Sequence, residues 1–74
     1  SPRAQRRAAQ KELARVEREL QRAERRDVEL QAAMAAAATD AGRLDELTRE
    51  LAALAVDRDR LEASWLELSA ALEG

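Results

Sequence analysis

Residues 35–47, AAAATDAGRLDEL, decide whether this chain forms one long helix or two helices that pack against each other. On both sides of the segment, apolar residues recur in alternating steps of three and four, the heptad spacing of a coiled coil. The phase of this pattern changes inside the segment, because Leu44 occupies an a position where an uninterrupted pattern would make it a d position. Thr39 and Asp40 are favourable N-cap residues, whereas Gly42 would cost about 1 kcal/mol relative to Ala inside a continuous helix. The segment therefore predicts a turn.

The apolar repeat predicts two long helices on either side of that turn. Their seam residues are Leu13, Val16, Leu20, Ala23, Leu30, Met34 and Ala37 in the first helix, and Leu44, Leu47, Leu51, Leu54, Leu61, Trp65, Leu68 and Leu72 in the second. We expect an all-α fold, an antiparallel two-helix coiled-coil hairpin, as a single domain over residues 1–74. One helix is expected at about 2–38, the turn at about 39–42 and the second helix at about 43–72. Pairing residues symmetrically about the turn places an a position against a d position in every layer, as antiparallel helices require.

Two charged residues interrupt the apolar seams. Asp27 occupies a seam position of the first helix, and Arg58 occupies one of the second in the adjacent layer, where the small Ala23 leaves room for it. Polar seam residues commonly fix the register of a coiled coil at a cost in stability. We therefore favour a register-fixing pair over a ligand site, and we expect Arg26 and Asp57 to form an interhelical salt bridge beside it.

Trp65, the only aromatic residue, lies at a seam position near the open end of the hairpin, opposite Val16. Its heptad phase favours a packing role. The alternative is a partly exposed ring that is offered to a nucleic-acid base or to another protein.

Charge is divided unevenly between the two predicted helices. Residues 1–38 hold nine basic and six acidic side chains (net +3), and residues 39–74 hold four basic and nine acidic ones (net −5). One row of basic residues follows the c and f positions of the first helix, opposite the seam, and consists of Lys11, Arg15, Arg18, Arg22 and Arg25. Such a row is either a solvated charged face or a ridge that binds phosphates, for which Arg is well suited. Without interleaved aromatic residues, binding should be salt-sensitive and only weakly sequence-specific.

The outside of the second helix carries a shallow apolar strip. It consists of Ala52, Val56, Ala63, Leu66 and Ala70. Alanine is a strong helix former, so the strip has an interpretation without function. The alternative is a docking surface for another protein or a second hairpin, in which Val56 and Leu66 would make the principal contacts.

Several function classes are excluded by what the sequence lacks. There is no Cys and no His, which excludes a disulfide framework and a thiolate metal site. No glycine-rich phosphate loop is present, and no nucleophile has a base beside it. We expect no catalytic residue, metal or cofactor in this chain. No run of 18 apolar residues occurs, so we expect no membrane span, and a cytoplasmic location.

Three segments resemble the C-terminal coiled-coil domain of ABC-F ATP-binding cassette proteins of the Uup-like group. They are KELARVEREL at 11–20, ATDAGRLDELTREL at 38–51 and LEASWLEL at 61–68, and the resemblance covers nearly the whole chain. It implies a parent ATPase with two cassettes that use ATP and magnesium, none of whose catalytic motifs lie in these 74 residues. It also implies DNA or ribosomal RNA as the partner, and contact with the parent's cassettes.

The sequence also permits one alternative to nucleic-acid binding and one alternative to the hairpin fold. The hairpin could serve as a structural spacer or as a protein-interaction arm that forms a homodimer. The two helices could also open into a longer dimeric rod, although the change of heptad phase at the turn argues against a continuous helix.

Overall fold

The computed structural model describes all 74 residues and contains two helices and no strand. Helix α1 spans Pro2–Ala36 and helix α2 spans Ala41–Glu73. The two helices run antiparallel along each other and form a rod with extents of 57 × 15 × 15 Å. The predicted all-α hairpin is confirmed. Neither helix has a stretch that is long and apolar enough to cross a membrane.

The ends of both helices are fixed by local capping. Ser1 caps α1 by accepting a hydrogen bond from the N–H of Ala4 at 3.2 Å, and Pro2 occupies a first-turn position, where its missing N–H costs nothing. Asp40 caps α2, because its carboxylate accepts a hydrogen bond from the N–H of Arg43 at 3.0 Å. With Asp40 as the N-cap, α2 begins at Ala41, two residues before the predicted start, and α1 ends correspondingly early at Ala36.

Gly42 provides a test of this helix start. It lies in the first turn of α2 with a negative φ, and the nearest heavy atom to an added Cβ would be Asp40 Oδ1 at 3.7 Å. Gly42→Ala should therefore stabilise the hairpin by about 0.5–1 kcal/mol, since it reduces the freedom of the unfolded chain without straining the folded one. Urea unfolding followed by circular dichroism measures the change. A lower midpoint than that of the unchanged chain would contradict a helical first turn at this residue.

The core is a single narrow seam. Only Val16, Ala23, Leu30 and Leu47 are buried, and the other leucines of the seam are half-buried. Two helices can cover only one stripe of each other, so most of each surface stays in contact with solvent. The stability of the hairpin must depend strongly on these few buried side chains.

Side-chain bonds between the helices agree with the predicted register. Those bonds join Arg6 to the carbonyl oxygen of Leu72, Arg26 to Glu50, Arg58 to both Asp27 and Glu24, and Trp65 to Glu17. The Arg58–Asp27 pair, with 2.8 Å between Nη1 and Oδ2, confirms the polar pair expected at the interrupted seam positions. This pair ties one layer of α1 to one layer of α2 and so opposes a slip of the register.

The predicted Arg26–Asp57 salt bridge is wrong. Arg26 instead pairs with Glu50 at 2.5 Å and with Glu29 at 3.0 Å, and Asp57 lies 3.8 Å from Arg60 on its own helix. Both carboxylates that Arg26 contacts lie on its turn side, and each is on a Glu, which reaches one methylene further than Asp. The side chain of Arg26 therefore extends toward the turn and away from Asp57.

Candidate functional site

The row of basic residues on α1 forms one exposed surface, which we call the basic ridge. It consists of Lys11, Arg15, Arg18, Arg22 and Arg25, all exposed. Their alternating steps of four and three keep them on the face of α1 that points away from α2. At 1.5 Å per residue, the ridge extends over about 21 Å along the helix.

Arg15 differs from the rest of the ridge because carboxylates of its own helix surround it. It forms ion pairs with Glu12 and, at 2.7 Å, with Glu19. The hydrogen bond with Glu12 raises the pKa of Arg15, and the same bond lowers the pKa of Glu12. The sequence contained this signal, since Glu residues at i−3 and i+4 are helical neighbours of Arg15. The charge of Arg15 is therefore largely balanced before any ligand arrives.

The other four ridge residues, Lys11, Arg18, Arg22 and Arg25, form no ion pair within the chain. Arg3 and Arg7, which continue the ridge toward the N-terminus, form none either. By contrast, every arginine of α2 is paired with a carboxylate: Arg43 with Glu46, Arg49 with Asp45, Arg58 with Glu24 and Asp27, and Arg60 with Asp57. Uncompensated positive charge is thus confined to one face of α1.

A groove lies beside the ridge, at the layer of the Asp27–Arg58 pair. It has a volume of about 490 Å³, with an apolar floor and a charged rim. The floor consists of Ala23, Leu54 and Leu61, and the rim consists of Glu19, Arg22, Arg26, Asp57 and Arg60. We call it the arginine-rimmed groove. The groove was not predicted from the sequence, although the small Ala23 at a seam position was its signal.

Three large apolar side chains are exposed outside the seam. Val28 on α1 is 64% exposed, and Val56 and Leu66 on the outer face of α2 are 50% and 62% exposed. The structure thus places Val56 and Leu66, the two residues predicted to dock a partner, on the solvent side of α2. Trp65 is 37% exposed, with its indole N–H 3.5 Å from a carboxylate oxygen of Glu17, so its ring is packed only in part.

No group of three or more His, Cys, Asp or Glu side chains is arranged to hold a metal ion.

Among known protein families, the model described as the ABC transporter C-terminal domain matches residues 5–70. No curated protein and no solved structure matches the chain.

Proposed function

The chain belongs to the ABC transporter C-terminal domain family, and we propose that it is the nucleic-acid-binding hairpin of a cytoplasmic ATPase of the ABC-F, Uup-like group. In this proposal the hairpin itself performs no catalysis and holds no cofactor, whereas ATP and magnesium act in the cassettes of the parent protein. The hairpin contributes a phosphate-binding surface for DNA or ribosomal RNA. The segments at 11–20, 38–51 and 61–68 support the assignment to this group.

One observation carries the proposal: all uncompensated basic residues lie on α1, between Arg3 and Arg25. Exposed basic residues of a solvated coiled-coil face usually pair with carboxylates three or four residues away, as Arg43, Arg49 and Arg60 of α2 do. Glu19 and Glu29 are placed in this way near Arg22 and Arg25, but they pair with Arg15 and Arg26 instead. The unpaired basic groups of Lys11, Arg18, Arg22 and Arg25, which span about 21 Å, instead suit the phosphates of a nucleic-acid backbone. The net charge of −2 does not oppose this, because the acidic excess lies on α2.

Fluorescence-anisotropy titration of labelled duplex DNA and of an RNA hairpin, at low and at physiological salt, tests the proposal. We expect binding that weakens with salt. With four phosphate contacts, the logarithm of the affinity for duplex DNA should fall against the logarithm of salt concentration with a slope of roughly −3 to −4. The ligand with the higher affinity distinguishes a DNA role from a ribosomal one. Absence of binding to both ligands at low salt would overturn the proposal.

The second candidate function is self-association through the outer face of α2, and the spacing of its apolar strip favours it. The strip follows steps of four and three that are symmetric about residue 61. Its positions are Ala52, Val56, Asp59, Ala63, Leu66 and Ala70, of which only Asp59 is not apolar. An antiparallel contact between two copies would therefore set Val56 of each copy against Leu66 of the other. Such an isologous contact needs only one self-complementary surface.

Sedimentation equilibrium tests this second candidate, because the exposed strip should produce a weak dimer at high protein concentration. The double substitution Val56→Glu with Leu66→Glu should keep the chain monomeric, since it would bring carboxylates into an apolar contact. Val28→Glu, at an equally exposed apolar position on α1, should leave the dimer intact. A monomeric unchanged chain at every concentration would rule out self-association through this face.

A further inference from the structure

We propose that the arginine-rimmed groove holds one unpaired base of a nucleic acid whose phosphates lie on the basic ridge. The hairpin would then prefer a bulged or single-stranded segment to a continuous duplex. This inference rests on the proposed nucleic-acid function and specifies the class of ligand.

The groove exists because, at the layer of the Asp27–Arg58 pair, the Arg58 side chain fills the space on only one flank of the seam. The guanidinium group of Arg58 bonds Asp27 at 2.8 Å and Glu24 at 2.7 Å, and none of these three residues lines the groove. Glu24 occupies an e position on one flank of the α1 seam, whereas Glu19 and Arg26 occupy g positions on the other flank. The Arg58 head group, which bonds Glu24, therefore lies on the flank opposite the groove. Ala23 is too small to occupy the space that remains between Leu54 and Leu61.

The dimensions and lining of the groove suit a nucleobase. Its volume of about 490 Å³ falls within the roughly 300–1,000 Å³ range of small-molecule pockets, which are mostly apolar with a few polar groups. The flat face of a base can lie on the aliphatic floor, and guanidinium planes are common stacking partners for unstacked bases. Arg22 and Arg60 line the groove, so each can supply such a plane, whereas the guanidinium of Arg26 is paired with Glu50 and Glu29 on the turn side.

The charges around the rim complement this ligand. Arg22 belongs to both the ridge and the groove, so a backbone that follows the ridge passes the mouth of the groove. The carboxylate of Glu19 is already paired with Arg15. Asp57 lies only within a long 3.8 Å contact of Arg60 and offers an acceptor to an exocyclic amino group of a base. A phosphate can therefore stay at Arg22 while the uncharged base enters the groove beside Asp57.

The test compares two labelled duplexes of the same sequence, one continuous and one with a single-nucleotide bulge, by anisotropy at low salt. Burial of one base against the apolar floor should give the bulged duplex an affinity about 10-fold higher. Ala23→Leu fills the groove without changing any charge, so it should abolish this preference and leave the affinity for the continuous duplex unchanged. Ala53→Leu, at an exposed position of α2 away from the groove, should retain the preference.

Circular dichroism establishes that Ala23→Leu is folded. Ala23→Met, with a more adaptable side chain, is the second variant if the first fails to fold. Equal affinity of the unchanged chain for both duplexes would overturn the inference and leave the proposed function intact. A preference that persists in a folded, groove-filled variant would also overturn it, whereas loss of binding to both duplexes in the unchanged chain would overturn the proposed function itself.

Discussion

Replacing Lys11, Arg18, Arg22 and Arg25 together by Glu should lower the affinity of the hairpin for nucleic acid by at least about 100-fold at low salt. Each substitution removes a positive charge that no carboxylate of the chain balances and puts a negative charge next to the phosphates. The salt dependence should weaken together with the affinity, because fewer counterions would be released on binding. Anisotropy titration over a range of salt concentrations measures both effects.

A matched pair of double variants separates the ridge from net charge. Arg18→Glu with Arg25→Glu and Arg43→Glu with Arg49→Glu change the net charge of the chain equally. The α1 variant removes two positive charges that form no ion pair. The α2 variant removes two arginines whose charges Glu46 and Asp45 already balance. We expect at least about a 10-fold loss of affinity for the first pair and little change for the second. Equal losses in the two variants would mean that binding follows net charge and not the ridge.

Arg15 illustrates what spacing alone does not establish. The steps of four and three correctly put it on the face of the ridge, because helix geometry fixes where a Cα lies. Its side chain, however, bends along the helix to Glu12 and Glu19. The availability of a charge thus depends on which neighbours compete for it, and we expect Arg15→Ala to reduce affinity less than Arg18→Ala does.

Much of the fold could be predicted because its determinants are local or periodic. The heptad repeat specifies the seam, the change of phase marks the turn, and Asp40 caps the second helix through its own side chain. The Asp27–Arg58 pair also followed from the sequence, since both residues occupy interrupted seam positions in adjacent layers.

The partner of Arg26 and the arginine-rimmed groove could not be predicted in the same way. Both depend on the direction in which a long side chain leaves its helix, and several directions are compatible with one heptad position. Arg26 extends toward the turn because two Glu carboxylates lie there. Arg58 leaves the seam on the flank of Glu24, and the space on the other flank becomes the groove.

Leu30→Ala should destabilise the hairpin by about 2–4 kcal/mol, the usual cost of a cavity at a buried leucine. Leu30 is only 1% exposed and is one of four buried residues in the chain, so few neighbours can move to fill the space. For a domain of this size, the loss corresponds to a fall in the thermal midpoint of roughly 10–25 °C. Thermal and urea unfolding at low protein concentration, followed by circular dichroism, measure it.

Leu66→Ala is the matched control, because it makes the same chemical change within a helix at a residue that is 62% exposed. The gain in helix propensity from Leu to Ala is the same at both positions and cancels in the comparison. We expect Leu66→Ala to change the free energy of unfolding by less than about 0.5 kcal/mol. Similar losses at both positions would mean that the outer face of α2 is buried in solution, as self-association would require. A large difference would instead establish that the single seam between α1 and α2 holds the hairpin together and that the outer face of α2 is free.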